Sequence, residues 1–168
     1  YGGDDFAFQS LDRGGTDVRD LCIGRYEVTF AEWIRFLDAI DDRVDERGRT
    51  EPQDPGVAAE VSERDFRWIT VVPALSSGSL LLERSEGGWG IPARHRRLLF
   101  PTTPVAAVSQ LACREYAWWR SRSDDQWTYR LPTDLEWEKA ARGVDRRTHV
   151  WGEYLIWSFA WCQEGIPI

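Results

Sequence analysis

The chain has 168 residues, of which 42% are hydrophobic and 13% aromatic, with a formal net charge of −7 and a pI of about 4.9. That content supports a packed core and argues against disorder. The acidic balance argues against nucleic acid, whose capture depends on neutralising phosphates, and no run of about 18 apolar residues exists to span a membrane.

Residues 1–19 are rich in Gly and Asp and read as loop or weak strand. The stretch DLCIGRYEV, residues 20–28, reads as a strand from its partial alternation. It leads into TFAEWIRFLDAI, where Thr29 and Glu32 have the spacing of a capping box. Phe30, Trp33, Ile34, Leu37 and Ile40 then form one apolar helical stripe.

Residues 38–54 hold seven acidic side chains and read mostly as a solvated loop. The regular acidic ligand spacing of a calcium loop is missing there. DFRWITVV and GSLLLERSEGGWGI read as two short strands, the second followed by a Gly-Gly turn. The basic loop Ala93–Arg97 reads as a solvated charge cluster, with an anion or acidic partner as the alternative.

Ser109 is placed to cap a helix over QLACREYAWWRSR, with Ala112, Tyr116 and Trp119 on one face. A polar turn, SDDQ, precedes YRLPTDLEWEKAARG. Here Pro132 holds Leu131 extended, Thr133 and Glu136 form a second capping box, and Gly143 suits a left-handed stop. Trp137, Ala140 and Ala141 share a face, so the helix is expected to pack through the indole. Glu136 and Glu138, two apart, point to different faces and do not make an acid/base pair. The remainder carries Trp151, Trp157 and Trp161 without helical periodicity.

The basic residues are 20 Arg and Lys139, and neither Asn nor Met occurs. The lack of Met implies a sequence that begins after the translation start, and no signal-peptide core is visible. Cys22, Cys113 and Cys162 are odd in number, widely spaced and without a CxxC pair, so neither a disulfide framework nor a zinc site is expected. Buried free thiols are the expectation, against one redox or copper-ligand thiol as the alternative.

Three segments taken in order resemble one family. YEVTFAEWIRFL is similar to the helix start of the formylglycine-generating enzyme, or sulfatase-modifying factor, family. PVAAVSQLACREYAWW resembles that family's middle segment, and YRLPTDLEWEKAARGVDRRTHVWGE its RLPTEAEWE signature. The segment LLLERSEGGWGIP, before the middle match, resembles insertions in bacterial proteins that fuse this domain to signalling modules.

The resemblance implies an α+β fold, a variant of the C-type lectin-like fold with little regular secondary structure. It implies a single domain over residues 1–168, truncated at its C-terminal end. Family enzymes oxidise a sulfatase cysteine to formylglycine, using a copper held by two Cys in the later part of the domain. Cys22, Cys113 and Cys162 do not match those positions, so no catalytic residue and no metal ligand is assigned, and the binding residues are unknown. Family calcium sites use Asn, which this chain lacks; Gln163 is the one stand-in. Both copper and calcium are therefore in doubt. The related iron-dependent sulfoxide synthases use histidines, and His95 and His149 lack that spacing.

Three functions follow as expectations. One is a ligand- or protein-binding scaffold, a pseudoenzyme module of a bacterial signalling or defence protein. Another is part of an oxygen-dependent formylglycine-generating oxidoreductase whose copper-binding half lies elsewhere. The third is a purely structural subdomain. The location expected is cytoplasmic, and residues 151–168 are expected to contact a protein partner or the remainder of the domain.

Overall fold

The computed structural model describes residues 6–7, 21–143, 147 and 149–154. The chain divides into two compact units, Tyr26–Leu131 and Tyr1–Arg25 with Pro132–Ile168. Four helices and short paired strands are found among the described residues, a mixed α+β composition.

In the larger unit, α1 spans Phe30–Ala39. Its start is as the sequence indicates: Thr29 Oγ1 accepts from Glu32 N–H, and Thr29 N–H donates to Glu32 Oε2 at 2.8 Å. Two more first-turn donors are used by a neighbouring strand-like segment. Phe30 N–H donates to Thr103 O and Ala31 N–H to Pro101 O, both at 2.9 Å. The buried stripe is Phe30, Trp33, Phe36, Leu37 and Ile40, so Phe36 joins the core while Ile34 is only half-buried.

Between residues 38 and 54 the chain is more ordered than a solvated loop. It contains the end of α1, a 3-10 turn at Asp41–Arg43 and β3 at Arg49–Thr50, and it buries Val44 and Thr50. The acidic side chains face outward while the intervening apolar positions seat the backbone on the core. Next comes α2, Pro55–Glu63, which the periodicity does not announce. Asp54 caps it, accepting from Gly56 and Val57 N–H, and Pro55 opens it.

β4, Ile69–Thr70, pairs antiparallel with β3 in the register Arg49↔Thr70 and Thr50↔Ile69. Gly48, at φ +73°, lets its carbonyl accept from both Val71 and Val72 N–H. The GSLLLERSEGGWGI stretch is a hairpin rather than one strand. β5, Glu83–Ser85, pairs with β6, Gly88–Gly90, and the turn falls at Glu86–Gly87, inside the stretch. The basic segment begins with a 3-10 turn at Ala93–His95.

α3, Gln110–Arg122, begins at Ser109, whose hydroxyl accepts from Ala112 N–H at 3.1 Å. Ala112, Tyr116 and Trp119 share a face as expected, and that face packs against α1. The Tyr116 ring stacks on Trp33 at 5.1 Å, Phe36 meets Tyr116 edge-on at 5.5 Å, and Trp119 lies 5.4 Å from Phe36. Trp33 Nε1–H donates to Val71 O at 2.9 Å, so the most buried indole is satisfied. Glu115, on the same helix, is also buried. Its carboxylate accepts from Gln53 N–H at 2.8 and 3.0 Å and from Asp54 N–H at 2.9 Å, which fixes the approach to α2.

In the smaller unit, β1, Phe6–Ala7, pairs antiparallel with β2, Cys22–Ile23. The predicted strand over residues 20–28 is thus only two residues long where it is described. Its continuation leaves that ladder, and Val28 O accepts from Val105 N–H instead. α4, Asp134–Arg142, has the expected Thr133–Glu136 capping box and ends at Gly143 with φ +71°.

The packing expected of α4 is not found. Trp137 is 61% exposed and no residue of the helix is buried, because no described residue covers the indole face. Beyond it, His149 and Gly152 form a small bridge, and the His149 ring stacks on Trp151 at 5.4 Å.

Candidate functional site

The largest concentration of fixed side-chain geometry lies where the segment after α1 meets the β5–β6 hairpin. Asp45 organises the first wall. Its Oδ1 accepts from the N–H groups of Arg47 and Arg49, each at 2.9 Å, and its Oδ2 accepts from the Arg49 guanidinium at 2.9 and 2.7 Å. Burial pushes the Asp45 pKa up, but the hydrogen bonds from Arg49 and from the two backbone N–H groups outweigh it and leave it below the ordinary carboxylate value.

The hairpin is pinned to that wall. Arg84 Nε meets Asp41 Oδ1 at 2.7 Å, and Arg84 Nη2 donates to Asp41 O at 2.6 Å and Val44 O at 2.9 Å. Trp89 donates twice: its backbone N–H to Asp38 Oδ1 at 2.8 Å and its indole N–H to Asp41 Oδ1 at 2.6 Å. The approach requires Gly88, which sits at φ +100° and whose added Cβ would fall 2.7 Å from Asp38 Oδ1. The Arg84 guanidinium also lies 5.1 Å from the Trp89 ring centre, in cation–π range.

Between the walls is a cleft of about 350 Å³, open to solvent on one side. Leu80, Leu82 and Trp89 provide its apolar surface. Asp45, Glu46, Glu83, Arg84 and Arg94 provide charge, with Glu83 and Arg94 paired at 3.2 Å. Three apolar and five charged residues line it, a more charged wall than the mainly apolar pockets that small ligands ordinarily occupy.

The residues singled out in the sequence fall elsewhere. Cys113 is half-buried on α3 against the core, and burial pushes its thiol pKa up; Cys22 is exposed on β2, and both are free thiols. His95 is half-buried in its turn with Nε2 shielded from solvent and lacking a hydrogen-bond partner. In the basic segment Arg94 bonds Glu83 and Leu80 O, and Arg96 bonds Ile91 O. Glu138 pairs with Arg142, and Glu136 serves the cap. Cys162, Trp157, Trp161 and Gln163 lie outside the described residues, as do residues 155–168 of the expected 151–168 partner surface. Within the rest of it, Tyr154 is 83% exposed. Among the described residues no group of three or more His, Cys, Asp or Glu is placed to hold a metal ion, and no helix is long and apolar enough to cross a membrane.

The cleft is absent from the sequence reading. Its parts come from residues 45–46 and 80–94, and only the Gly-Gly pair hinted that a backbone had to approach closely there.

Comparison with known proteins bears on what such an arrangement belongs to. The pattern of the sulfatase-modifying factor enzyme 1-like domain matches residues 5–164. The chain belongs to this family. As a sulfatase-modifying factor domain it is similar to the formylglycine-generating enzyme of Mycobacterium tuberculosis (strain ATCC 25618 / H37Rv), with 29% identity over 146 residues. The match covers 81% of this chain and 46% of that relative, so the chain spans about half the length of the curated protein it matches. No solved structure matches it significantly.

Proposed function

We propose that this sulfatase-modifying factor domain acts as a ligand- or protein-binding scaffold, a pseudoenzyme module within a bacterial signalling or defence protein. The observation that carries this reading is Cys113. A copper-thiolate site requires a thiol that ionises readily and converges with a second soft ligand. Cys113 packs against the core with its pKa raised by burial, and it does not fit that role. The binding surface in this reading is the hairpin and the segment facing it, carried on a C-type lectin-like variant of the fold in a cytoplasmic protein. Residues 151–168 engage a protein partner or the remainder of the domain.

The identity to a formylglycine-generating enzyme favours a second reading, in which the chain is one part of an oxygen-dependent oxidoreductase whose copper ligands lie on another segment. One assay separates the two. The full-length protein that carries this domain, with any further segment of it, is incubated with copper, oxygen and a sulfatase cysteine peptide, and the aldehyde product is trapped with a hydrazide and weighed. The scaffold reading expects no aldehyde and no copper retained after dialysis. Aldehyde formation above a heat-denatured control overturns it.

A further inference from the structure

The cleft beside the hairpin has a charge balance that specifies its occupant. Asp45 is neutralised by Arg49, Arg84 by Asp41, and Glu83 by Arg94. Glu46, exposed at the edge of the cleft, has no hydrogen-bond or ion-pair partner among the described residues. The cleft residues and their ion-pair partners thus bring four carboxylates and three guanidinium groups together, Asp38 on the Trp89 N–H adds a further carboxylate, and the balance is negative with Glu46 unpaired beside Leu80, Leu82 and Trp89.

We propose that this cleft binds an organic monocation with a short apolar stem, a primary alkylammonium group whose charge faces Glu46 and whose carbons lie on Leu80, Leu82 and Trp89. The inference rests on the scaffold reading and names its ligand class. An anion would meet the unbalanced carboxylate, and the basic groups that could oppose it are already engaged by Asp41 and Glu83. A bare metal ion would find one free carboxylate and an apolar wall where oxygen ligands are needed. An alkyl stem, by contrast, gains from leaving water against half-buried Leu80 and the exposed edge of Trp89, with Leu82 buried among them, and an ammonium tip at an open edge keeps part of its hydration, as snorkelling lysines do. Five of the eight lining residues come from residues 80–92, so the hairpin segment supplies most of the cleft.

The test is a titration of the full chain with n-butylammonium at neutral pH, followed through the Trp89 indole N–H resonance, assigned from the spectrum of Trp89→Phe. n-Butanol and butyrate are the neutral and anionic controls of similar size. The expected result is a saturable shift with n-butylammonium, weaker binding of n-butanol and none of butyrate. Because Glu46 is exposed, its ion pair is modest, and Glu46→Gln is expected to weaken n-butylammonium binding by about three- to five-fold while leaving n-butanol unchanged. Asp42→Asn, an exposed acid that does not line the cleft, is the control and is expected to change neither. Equal binding of n-butanol and n-butylammonium by the unmodified chain overturns the proposal, as does undiminished binding by Glu46→Gln. The aldehyde assay reads a different product, so failure here and failure of the scaffold reading are told apart.

Discussion

Replacing Glu115 tests whether a single buried carboxylate holds α2 in place. The side chain is 2% exposed, and its two oxygens take up the N–H groups of Gln53 and Asp54 through contacts of 2.8 to 3.0 Å. Those donors precede the helix and have no other hydrogen-bond acceptor among the described residues. A hydrogen bond to a charged acceptor contributes about 1.5–3 kcal/mol, and stranding a buried donor costs a comparable amount. Both donors are only part-buried, so water recovers some of the loss in Glu115→Ala. The expected destabilisation is about 3 kcal/mol, or about 6–12 °C in Tm for a chain of this size. Glu115→Gln keeps one acceptor and the volume, and is expected to lose about half as much. Urea unfolding gives the free energies, and amide hydrogen exchange gives the location: Gln53 and Asp54 lose protection first in both variants. A loss below about 1 kcal/mol for Glu115→Ala, with Gln53 and Asp54 still protected, would refute the argument.

Three further outcomes are expected. Trp33→Phe removes the indole N–H that meets Val71 O and trims the ring stacked on Tyr116, and chemical denaturation should show a loss of about 2–3 kcal/mol. Asp124 and Tyr129 share a 2.6 Å hydrogen bond that holds the carboxyl pKa down and, with burial adding to it, the phenol pKa up. The Asp124 contribution is therefore complete above the ordinary carboxylate pKa and is lost as pH falls through the lowered folded value. The Tyr129 contribution is complete below the ordinary tyrosine pKa of about 10 and is lost as pH rises through the raised one. Unfolding midpoints measured across pH should be flatter at both ends in Asp124→Asn. Finally, iodoacetamide with mass spectrometry should label exposed Cys22 before Cys113, whose partial burial and raised pKa slow its reaction.

The helices that could be read from sequence were those whose start signal and apolar period coincide. Thr29, Ser109 and Thr133 each stand one residue before the helix begins, and an apolar period follows within its first turn or so. α2 has equally good start chemistry in Asp54 and Pro55, but it buries only Val57 and Val61, too few positions for a period to emerge. Trp137 marks the limit of the same method: spacing tells which residues share a face and not whether anything covers it. Glu115 looks like an ordinary exposed helical acid until a segment 62 residues away places two amides over it. The cleft was hidden for the same reason, since the partners of Arg84 and Trp89 lie 40 or more positions earlier.

Because Asp38 and Asp41 grip the hairpin at Trp89 and Arg84, the two exposed residues of its tip, Glu86 and Gly87, carry none of these anchoring contacts and are free to vary in length. A foreign peptide spliced between them would be displayed at the exposed tip of the hairpin while the core kept its shape. The domain is thereby suited to exchanging one short surface loop for another over evolutionary time, much as an engineered display scaffold exchanges its grafts.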